Sequence, residues 1–315
     1  MRTRSLGRSG LTVGELGLGT WGLSGEGYGP VTEEAAWEAL TAAAEEGVTF
    51  FECADAYREG KVQELLGRLL REHKHEGFTV CTRLGIDRAS SPPRKRFGRA
   101  HLTAACDASL QRLGRGWLDV CLLHNPLLST LQEGEAWEAL ERLKEAGKAR
   151  LIGASVSSAE AGRVAVKLGA EVLEVPYNLL YPEVLHGLSA EVSAGQVAVI
   201  ARSPLSYGLL ADTWNASRRF GDEDHRLYRW GPADLARRVR QRESARFLVH
   251  DAVGSLREAA LRYVLANGLV SVTVPGPRTA AQARQNARAA EGLPYLPDED
   301  LSALGRFLRE AGVDA

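Results

Sequence analysis

The feature that most constrains the fold of this chain is an alternation of strand-like and helix-like segments. Short runs of β-branched and apolar residues predict strands, and the longer amphipathic runs between them predict helices. A helix between successive strands implies parallel pairing, because parallel strands need a long crossover. Eight such units in 315 residues predict a closed (β/α)8 TIM barrel, with strands at residues 16–20, 49–53, 79–83, 118–124, 149–155, 172–175, 197–202 and 270–275.

Three segments lie outside the repeated units. Residues 3–13 predict a hairpin around Gly7-Arg-Ser-Gly10 that caps one end of the barrel. Residues 298–310 predict an extra C-terminal helix. Residues 206–243 are polar and long, which favours an irregular, lid-like insertion over the barrel mouth rather than a domain boundary. The sequence therefore predicts a single domain over residues 1–315.

An open, doubly wound sheet is the competing architecture. Such a sheet carries a Gly-x-Gly-x-x-Gly turn after its first strand and before a helix. Gly17-Leu-Gly-Thr-Trp-Gly22 fits that pattern, but about ten loop residues follow it and the next predicted helix starts near residue 32. The match therefore lacks the structural context that would give it meaning.

Composition excludes several classes of function. The formal net charge of −1 argues against a general nucleic-acid or acidic-membrane binder. No apolar run approaches the ~20 residues of a membrane span. The cysteines at 53, 81, 106 and 121 form no Cys-x-x-Cys pair, so neither a disulfide framework nor a metal site is predicted. We expect a reduced, cytoplasmic protein, and the oligomeric state stays open.

Ionisable side chains stand at the predicted strand ends, which converge on one mouth in a parallel barrel. They include an acid, a cation and an imidazole, with a phenol just beyond. This set suits carbonyl reduction, in which a phenol donates a proton while a nicotinamide supplies hydride. A neighbouring cation favours the phenolate, and a carboxylate holds the cation. The alternative for the acid is a polar cap on a core strand. The strand-end residues are Trp21, Glu52, Arg83, His124, Ser155, Glu174, Arg202 and Pro275, with Tyr57 in the following loop.

Motifs along nearly the whole chain resemble the aldo-keto reductase superfamily. Each motif is short, but together and in this order they are specific. They are Leu6-Gly-Arg-Ser-Gly-Leu-Thr-Val, Leu18-Gly-Thr-Trp-Gly, Glu52-Cys-Ala-Asp-Ala-Tyr57, Ser109-Leu-Gln-Arg-Leu-Gly, Asp119-Val-Cys-Leu-Leu-His124-Asn-Pro, Gly153-Ala-Ser155, Tyr177-Asn-Leu-Leu, Ser203-Pro-Leu and Val274-Pro-Gly-Pro-Arg278.

The resemblance implies a catalytic tetrad of aspartate, tyrosine, lysine and histidine. Tyr57 and His124 match it directly, whereas the aspartate falls on Glu52 and the lysine on Arg83. An acid and a base remain, but a guanidinium is planar, bulkier and not equivalent to an ammonium. If Arg83 merely handicaps the reaction, an Arg83→Lys variant should be more active.

The resemblance also implies NADP(H) as the cofactor. Ser155 matches a serine that contacts the nicotinamide carboxamide, Glu174 replaces a glutamine, and Arg202 takes the position of a ring-stacking residue. Val156 replaces a neighbouring asparagine. Arg278 at a helix start favours NADP over NAD. The cofactor-binding residues implied are Thr20, Trp21, Ser155, Glu174, Arg202, Ser203, Leu205, Gly276, Arg278, Gln282 and Asn286.

Two function hypotheses remain from the sequence. The first is an NADP(H)-dependent oxidoreductase that interconverts a small aldehyde or ketone and an alcohol, with Tyr57 as proton donor. The alternative is a nucleotide-binding barrel with impaired or lost catalysis that acts as a sensor or partner protein. A barrel lyase or isomerase would leave Arg278 and Gln282 unexplained. Aromatic residues expected near the mouth are Trp21, Tyr28, Trp214, Tyr228 and Trp230, and the last three either line a substrate pocket or anchor the 206–243 segment.

Overall fold

A computed structural model describes residues 1–74, 77–90, 92–250, 253–291 and 295–310. The chain starts with an antiparallel hairpin of β1 (Thr3–Ser5) and β2 (Thr12–Gly14), as predicted. Its turn packs closely on the barrel, because a Cβ on Gly7 would lie 2.6 Å from the Gln196 carbonyl oxygen. Leu6 and Val13 are buried among side chains of the barrel interior, so the hairpin caps the N-terminal end of the strands.

The central sheet has eight parallel strands, which confirms the predicted barrel. Its strands pair in chain order, and the bridge between Leu16 and Thr273 joins the first strand to the last. The strands are β3 (Leu18–Gly19), β4 (Phe50–Ala54), β5 (Thr79–Leu84), β8 (Leu118–His124), β9 (Ala149–Ser155), β10 (Val172–Pro176), β11 (Ala198–Arg202) and β12 (Val272–Val274). A small antiparallel pair that the sequence analysis missed, β6 (Ile86–Asp87) and β7 (Arg94–Lys95), follows β5.

Helices surround the sheet. The sequence pattern predicts continuous helices over residues 130–146 and 182–194, but both are broken: Gly134, with φ of +82°, separates α4 from α5, and Gly187-Leu188 separates α7 from α8. The helices are α1 (Glu33–Glu45), α2 (Lys61–Glu72), α3 (Arg99–Leu113), α4 (Leu128–Glu133), α5 (Glu135–Glu145), α6 (Ala159–Lys167), α7 (Glu183–His186), α8 (Ser189–Gly195), α9 (Arg226–Arg229), α10 (Pro232–Ser244), α11 (Leu256–Ala266), α12 (Ala280–Arg288) and α13 (Asp298–Glu310). No helix in the described ranges is long and apolar enough to cross a membrane.

Alternation along the strands divides the core into two parts. Side chains of one parity, such as Phe51 and Cys53 in β4, pack outward against the helices. Side chains of the other parity fill the barrel, and the lower layers are apolar: Phe50, Cys81, Val120, Leu122, Leu151, Val172, Ala198, Ile200 and Val272. The next inward positions towards the C-terminal ends carry polar groups: Glu52, Arg83, His124, Ser155, Glu174 and Arg202. The site is therefore the polar top layer of the barrel interior.

The segment 206–243 is more regular than expected. It contains a 3-10 turn at Ser206–Ala211 and helices α9 and α10. Pro232 is the first residue of α10, which continues to Ser244. The segment touches the loop before α1: Asp224 forms a β-bridge with Tyr28, and the His225 N–H donates to the Gly27 carbonyl at 3.0 Å. Two connecting segments thus meet over the C-terminal ends of the strands.

Candidate active site

A cavity of about 760 Å³ opens at the C-terminal ends of the strands. It lies where the sequence analysis expects an active site, and it is large enough for a dinucleotide and a small substrate. Thr20 and Asn286 are the two predicted site residues that do not line it. Predicted residues that line it are Trp21, Glu52, Tyr57, Arg83, His124, Ser155, Glu174, Arg202, Ser203, Leu205, Gly276, Arg278 and Gln282.

Tyr57 lies between a cation and an imidazole. It follows β4 in a tight turn in which Arg58 and Glu59 adopt positive φ angles of 49° and 54°. The Tyr57 ring is buried and stands perpendicular to His124, with 6.2 Å between ring centroids. The guanidinium carbon of Arg83 is 5.3 Å from the Tyr57 ring centroid, within the range of a cation–π contact. The structure therefore brings the phenol, the cation and the imidazole together.

Arg83 is held by two buried carboxylates. Its Nη2 lies 2.8 Å from Glu52 Oε1, and its Nη1 lies 3.3 Å from Glu174 Oε2. Burial and, to a lesser extent, the charge of Glu174 raise the pKa of Glu52 while Arg83 lowers it, and the net pKa is about 7. Burial lowers the pKa of Arg83, but the two carboxylates outweigh burial and raise it overall. The guanidinium thus stays charged at the centre of the site, and Glu52 titrates near neutrality.

The raised pKa of Glu52 makes stability depend on pH. Its folded-state pKa of about 7 lies above its ordinary value of 4.5, so the protonated acid is favoured by folding. That contribution is complete below pH 4.5 and is lost as the pH rises through 7. Relative to Glu52→Gln, the wild-type free energy of unfolding should fall by about 2 kcal/mol between pH 5 and pH 8.

Urea denaturation of both proteins at pH 5, 6, 7 and 8 measures this difference. Asp55, whose pKa burial raises to about 6, is present in both proteins and cancels in the comparison. Parallel stability curves would contradict the assigned titration of Glu52.

His124 is neutral at the pH of most cells. Burial, followed by the charges of Arg83 and Arg202, holds the pKa of its imidazole well below the ordinary value. Its Nδ1 is buried and has no hydrogen-bond partner among the residues that the structure describes. A neutral ring can donate one hydrogen bond to a carbonyl oxygen, which suits substrate orientation better than proton supply.

Several buried polar atoms on the cofactor side also lack partners within the described chain. They are the hydroxyls of Thr20 and Ser155 and both carboxylate oxygens of Glu174, whose contact with Arg83 is an ion pair without hydrogen-bond geometry. Buried polar atoms are normally paired, so such a group needs an explanation. The Ser155 hydroxyl and the Glu174 carboxylate line the cavity and fit a carboxamide, whereas Thr20 lies behind it. Arg202 is instead engaged, since its Nη2 donates to Ser157 Oγ at 2.8 Å.

The predicted phosphate-binding segment contacts the loop before α1. Arg278 Nη2 donates to the carbonyls of Gly29 at 3.1 Å and Pro30 at 3.0 Å. The Gln282 side-chain oxygen accepts from the backbone N–H of Arg278 at 2.9 Å. Gln282 therefore orders the start of α12, and Arg278 joins this helix to the loop above the cavity.

Asn286 acts behind the cavity rather than in it. Its Oδ1 accepts from Arg257 Nη1 at 2.9 Å, and Arg257 lines the cavity. The sequence analysis missed Arg257. Arg257 is the second residue of α11, where the helix dipole disfavours positive charge unless an anion is near, and a predicted start at residue 253 concealed this signal.

Aromatic residues form one wall of the mouth, and the prediction for them holds in part. Trp21, Tyr28 and Trp214 line the cavity, and Trp21 packs on Tyr28 with ring centroids 5.0 Å apart. Trp230 is instead buried against Tyr207, Trp214 and Phe220 as an anchor of the segment. Tyr228 is 79% exposed and does not line the cavity. No cluster of metal-ligating side chains occurs among the described residues.

Comparisons with known proteins agree on one family. A sequence model of the Aldo/keto reductase family matches residues 15–308. Two proteins of Bacillus subtilis (strain 168) are similar. Aldo-keto reductase YhdN is 26% identical over 232 residues, 72% of this chain and 69% of YhdN. The uncharacterized oxidoreductase YqkF is 28% identical over 310 residues, 96% of this chain and 95% of YqkF.

Solved structures share the fold. The glycerol dehydrogenase AKR11B4 from Gluconobacter oxydans superimposes with a TM-score of 0.85 at 23% identity, covering 99% of this chain and 97% of that one. The holo form of aldo-keto reductase AKR11C1 from Bacillus halodurans superimposes with a TM-score of 0.81 at 24% identity, covering 98% of this chain and 96% of that one. Since the family match spans nearly the whole chain and the same barrel recurs in these structures, the chain belongs to the Aldo/keto reductase family of oxidoreductases.

Proposed function

We propose that this chain is an NADP(H)-dependent oxidoreductase that interconverts an aldehyde or ketone and an alcohol. The observation that carries the proposal is the position of Arg83, whose guanidinium carbon lies 5.3 Å from the Tyr57 ring centroid, with the His124 ring centroid 6.2 Å from the same ring. A fixed positive charge beside a phenol favours the phenolate, which lets the hydroxyl exchange a proton near neutral pH.

Each residue at the cavity mouth has a separate role in the proposed reaction. Tyr57 donates the proton to the carbonyl oxygen, neutral His124 orients that oxygen, and Glu52 holds Arg83 beside the phenol. NADPH, when bound, supplies the hydride that reduces the carbonyl carbon. In the reverse direction Tyr57 accepts the proton from the alcohol. Proton transfer of this kind contributes ~100- to 10,000-fold to rate.

The cofactor is proposed to extend from the barrel centre towards α12. Ser155 and Glu174 carry the unpartnered polar atoms that suit the nicotinamide carboxamide. The residues Thr20, Trp21, Arg202, Ser203 and Leu205 surround that end. Gly276, Arg278, Gln282 and Asn286 serve the adenosine phosphate end, where the newly found Arg257 adds a second cation. We also propose that residues 206–243 form a lid, that residues 1–315 are one domain, and that the protein works in the cytoplasm.

Two measurements test this function. NADPH titration by protein fluorescence should show saturable binding, and a panel of aldehydes, ketones and quinones should show NADPH oxidation. Absence of NADPH binding would contradict the proposal. Binding without turnover of any carbonyl would favour the alternative, a nucleotide sensor or partner protein.

Arg278 should decide the preference for NADPH over NADH. Replacing it with methionine removes a charge-assisted contact to the 2′-phosphate, a loss of ~1.5–3 kcal/mol. The Kd for NADPH should therefore rise by ~10- to 100-fold, while the Kd for NADH should change by less than ~3-fold.

Arg284→Met is the matched control for this variant. Arg284 lies on α12, which begins two residues after Arg278, but pairs at the surface with Glu45 at 2.7 Å, so neither Kd should change. Equal losses for NADPH and NADH in Arg278→Met would show that the variant disturbs the loop and not phosphate recognition.

A further inference from the structure

The centre of the site contains one cation and two acids. Arg83, Glu52 and Glu174 are all buried, so their charges have little solvent to screen them. The family pattern described above places a single acid beside its cation and a neutral glutamine at the position of Glu174. The additional carboxylate therefore requires its own explanation.

The geometry around Arg83 supplies an explanation for the additional carboxylate. Glu52 and Glu174 contact different terminal nitrogens of Arg83, Nη2 at 2.8 Å and Nη1 at 3.3 Å. Glu52 is on β4, next to the strand that carries Arg83, whereas Glu174 is on β10, separated from that strand by β8 and β9. The guanidinium thus spans the barrel interior between two carboxylates. A planar fork with five donors can make both contacts, and a lysine ammonium is a compact point charge on a flexible stem.

We propose that Glu174 is a positioning residue for the reaction, which holds the second arm of Arg83 so that the guanidinium stays over the Tyr57 ring. Glu52, Arg83 and Glu174 then form one unit, and the three residues are interdependent. This inference rests on the proposed function. It also reverses the expectation from sequence alone that Arg83→Lys should be more active, because a lysine would leave a buried carboxylate unpaired.

The test is a double-mutant cycle of wild type, Arg83→Lys, Glu174→Gln and the double variant, assayed with NADPH and the best aldehyde of the panel. Arg83→Lys should lower kcat by about 100-fold, as expected when a reacting group is displaced by ~1 Å. Glu174→Gln should lower kcat by about 10-fold, whereas the Kd for NADPH should change by less than ~3-fold because the glutamine oxygen can still accept from the carboxamide nitrogen. In the Arg83→Lys background, Glu174→Gln should instead raise kcat by about 10-fold, a coupling within the range for contacting residues.

The pH profile separates positioning from a purely structural role. Glu52 is faced by Arg83, Glu174 and Arg202, and the Glu174 charge raises its pKa. Ionised Glu52 is the form that pairs with Arg83, so we assign the acid limb of the kcat profile to Glu52, and removing the Glu174 charge should move that limb to lower pH. The matched control is Glu15→Gln at the other end of the barrel. Glu15 is a buried carboxylate held by Arg2 and Arg4, each at 3.1 Å, so its loss should lower stability without moving the limb.

Three outcomes would overturn the inference. Additive effects of the two substitutions would show that Arg83 and Glu174 act independently. A raised Kd for NADPH with unchanged kcat in Glu174→Gln would show that this residue acts only through the cofactor. If Arg83→Lys does not fold, the pH profile of Glu174→Gln is sufficient as the test. An acid limb of kcat at the same pH as in wild type would contradict the positioning role of Glu174. A wild type without turnover would contradict the proposed function as well, whereas additivity in an active enzyme contradicts the inference alone.

Discussion

Tyr57→Phe should lower kcat for carbonyl reduction by at least about 100-fold and leave the Kd for NADPH within ~3-fold of wild type. The phenol is the one group in the proposed mechanism that transfers a proton to the substrate oxygen. Its ring is buried between Arg83 and His124, and phenylalanine retains that packing. The loss should therefore appear in kcat and kcat/KM together, because only a transition-state interaction is removed.

Tyr181→Phe is the matched control for this prediction. Tyr181 is half-buried, packs under Arg238 at 4.6 Å and does not line the cavity, so the same loss of a hydroxyl should leave kcat unchanged. Stopped-flow measurement of NADPH oxidation at saturating aldehyde gives kcat for the Tyr57→Phe and Tyr181→Phe variants. A Tyr57→Phe enzyme that retains wild-type kcat would remove Tyr57 from the proposed mechanism.

Arg83→Met should lower the free energy of unfolding by about 3–5 kcal/mol at pH 8. The substitution leaves Glu52 and Glu174 buried without their common cation. Without Arg83, the pKa of the Glu52 carboxyl rises further, since Arg83 is the largest effect that lowers it. Protonation relieves the unpaired charge, so the destabilisation should be largest above neutrality and should shrink as the pH falls to 5.5.

Arg88→Met is the matched control, which measures how much a partly exposed arginine of the same cavity contributes to the free energy of unfolding. Arg88 lines the same cavity and pairs with Glu26 at 2.6 Å, but both side chains are partly exposed. Its loss should cost less than ~1 kcal/mol and show little dependence on pH. Urea denaturation at pH 5.5 and pH 8 compares the two variants. A loss of less than ~1 kcal/mol for Arg83→Met at pH 8 would show that the central carboxyls are already neutral.

Local sequence patterns led to two wrong predictions about helices. The helical pattern from Thr130 to Ala146 continues through Gly134, yet that glycine adopts a positive φ and splits the helix. The polar composition of residues 206–243 suggested an irregular segment, but α10 lies within it because the helix packs Leu235 and Val239 onto the barrel. Tertiary packing overrides the local pattern only in the second case, because a Cβ on Gly134 would meet no atom within 4 Å and the break there is local.

The barrel and the residues of its polar layer could be predicted from the order of the amino acids alone. Strand alternation has a period of two, so the inward positions and the strand ends that carry Glu52, Arg83, His124, Ser155, Glu174 and Arg202 follow from counting residues. Only the tertiary structure decided how these side chains are paired. Glu174 reaches Arg83 across the barrel interior, and Asn286 holds Arg257 from the neighbouring helix. Contacts between residues far apart in the chain depend on barrel closure and on side-chain direction, which no local spacing encodes.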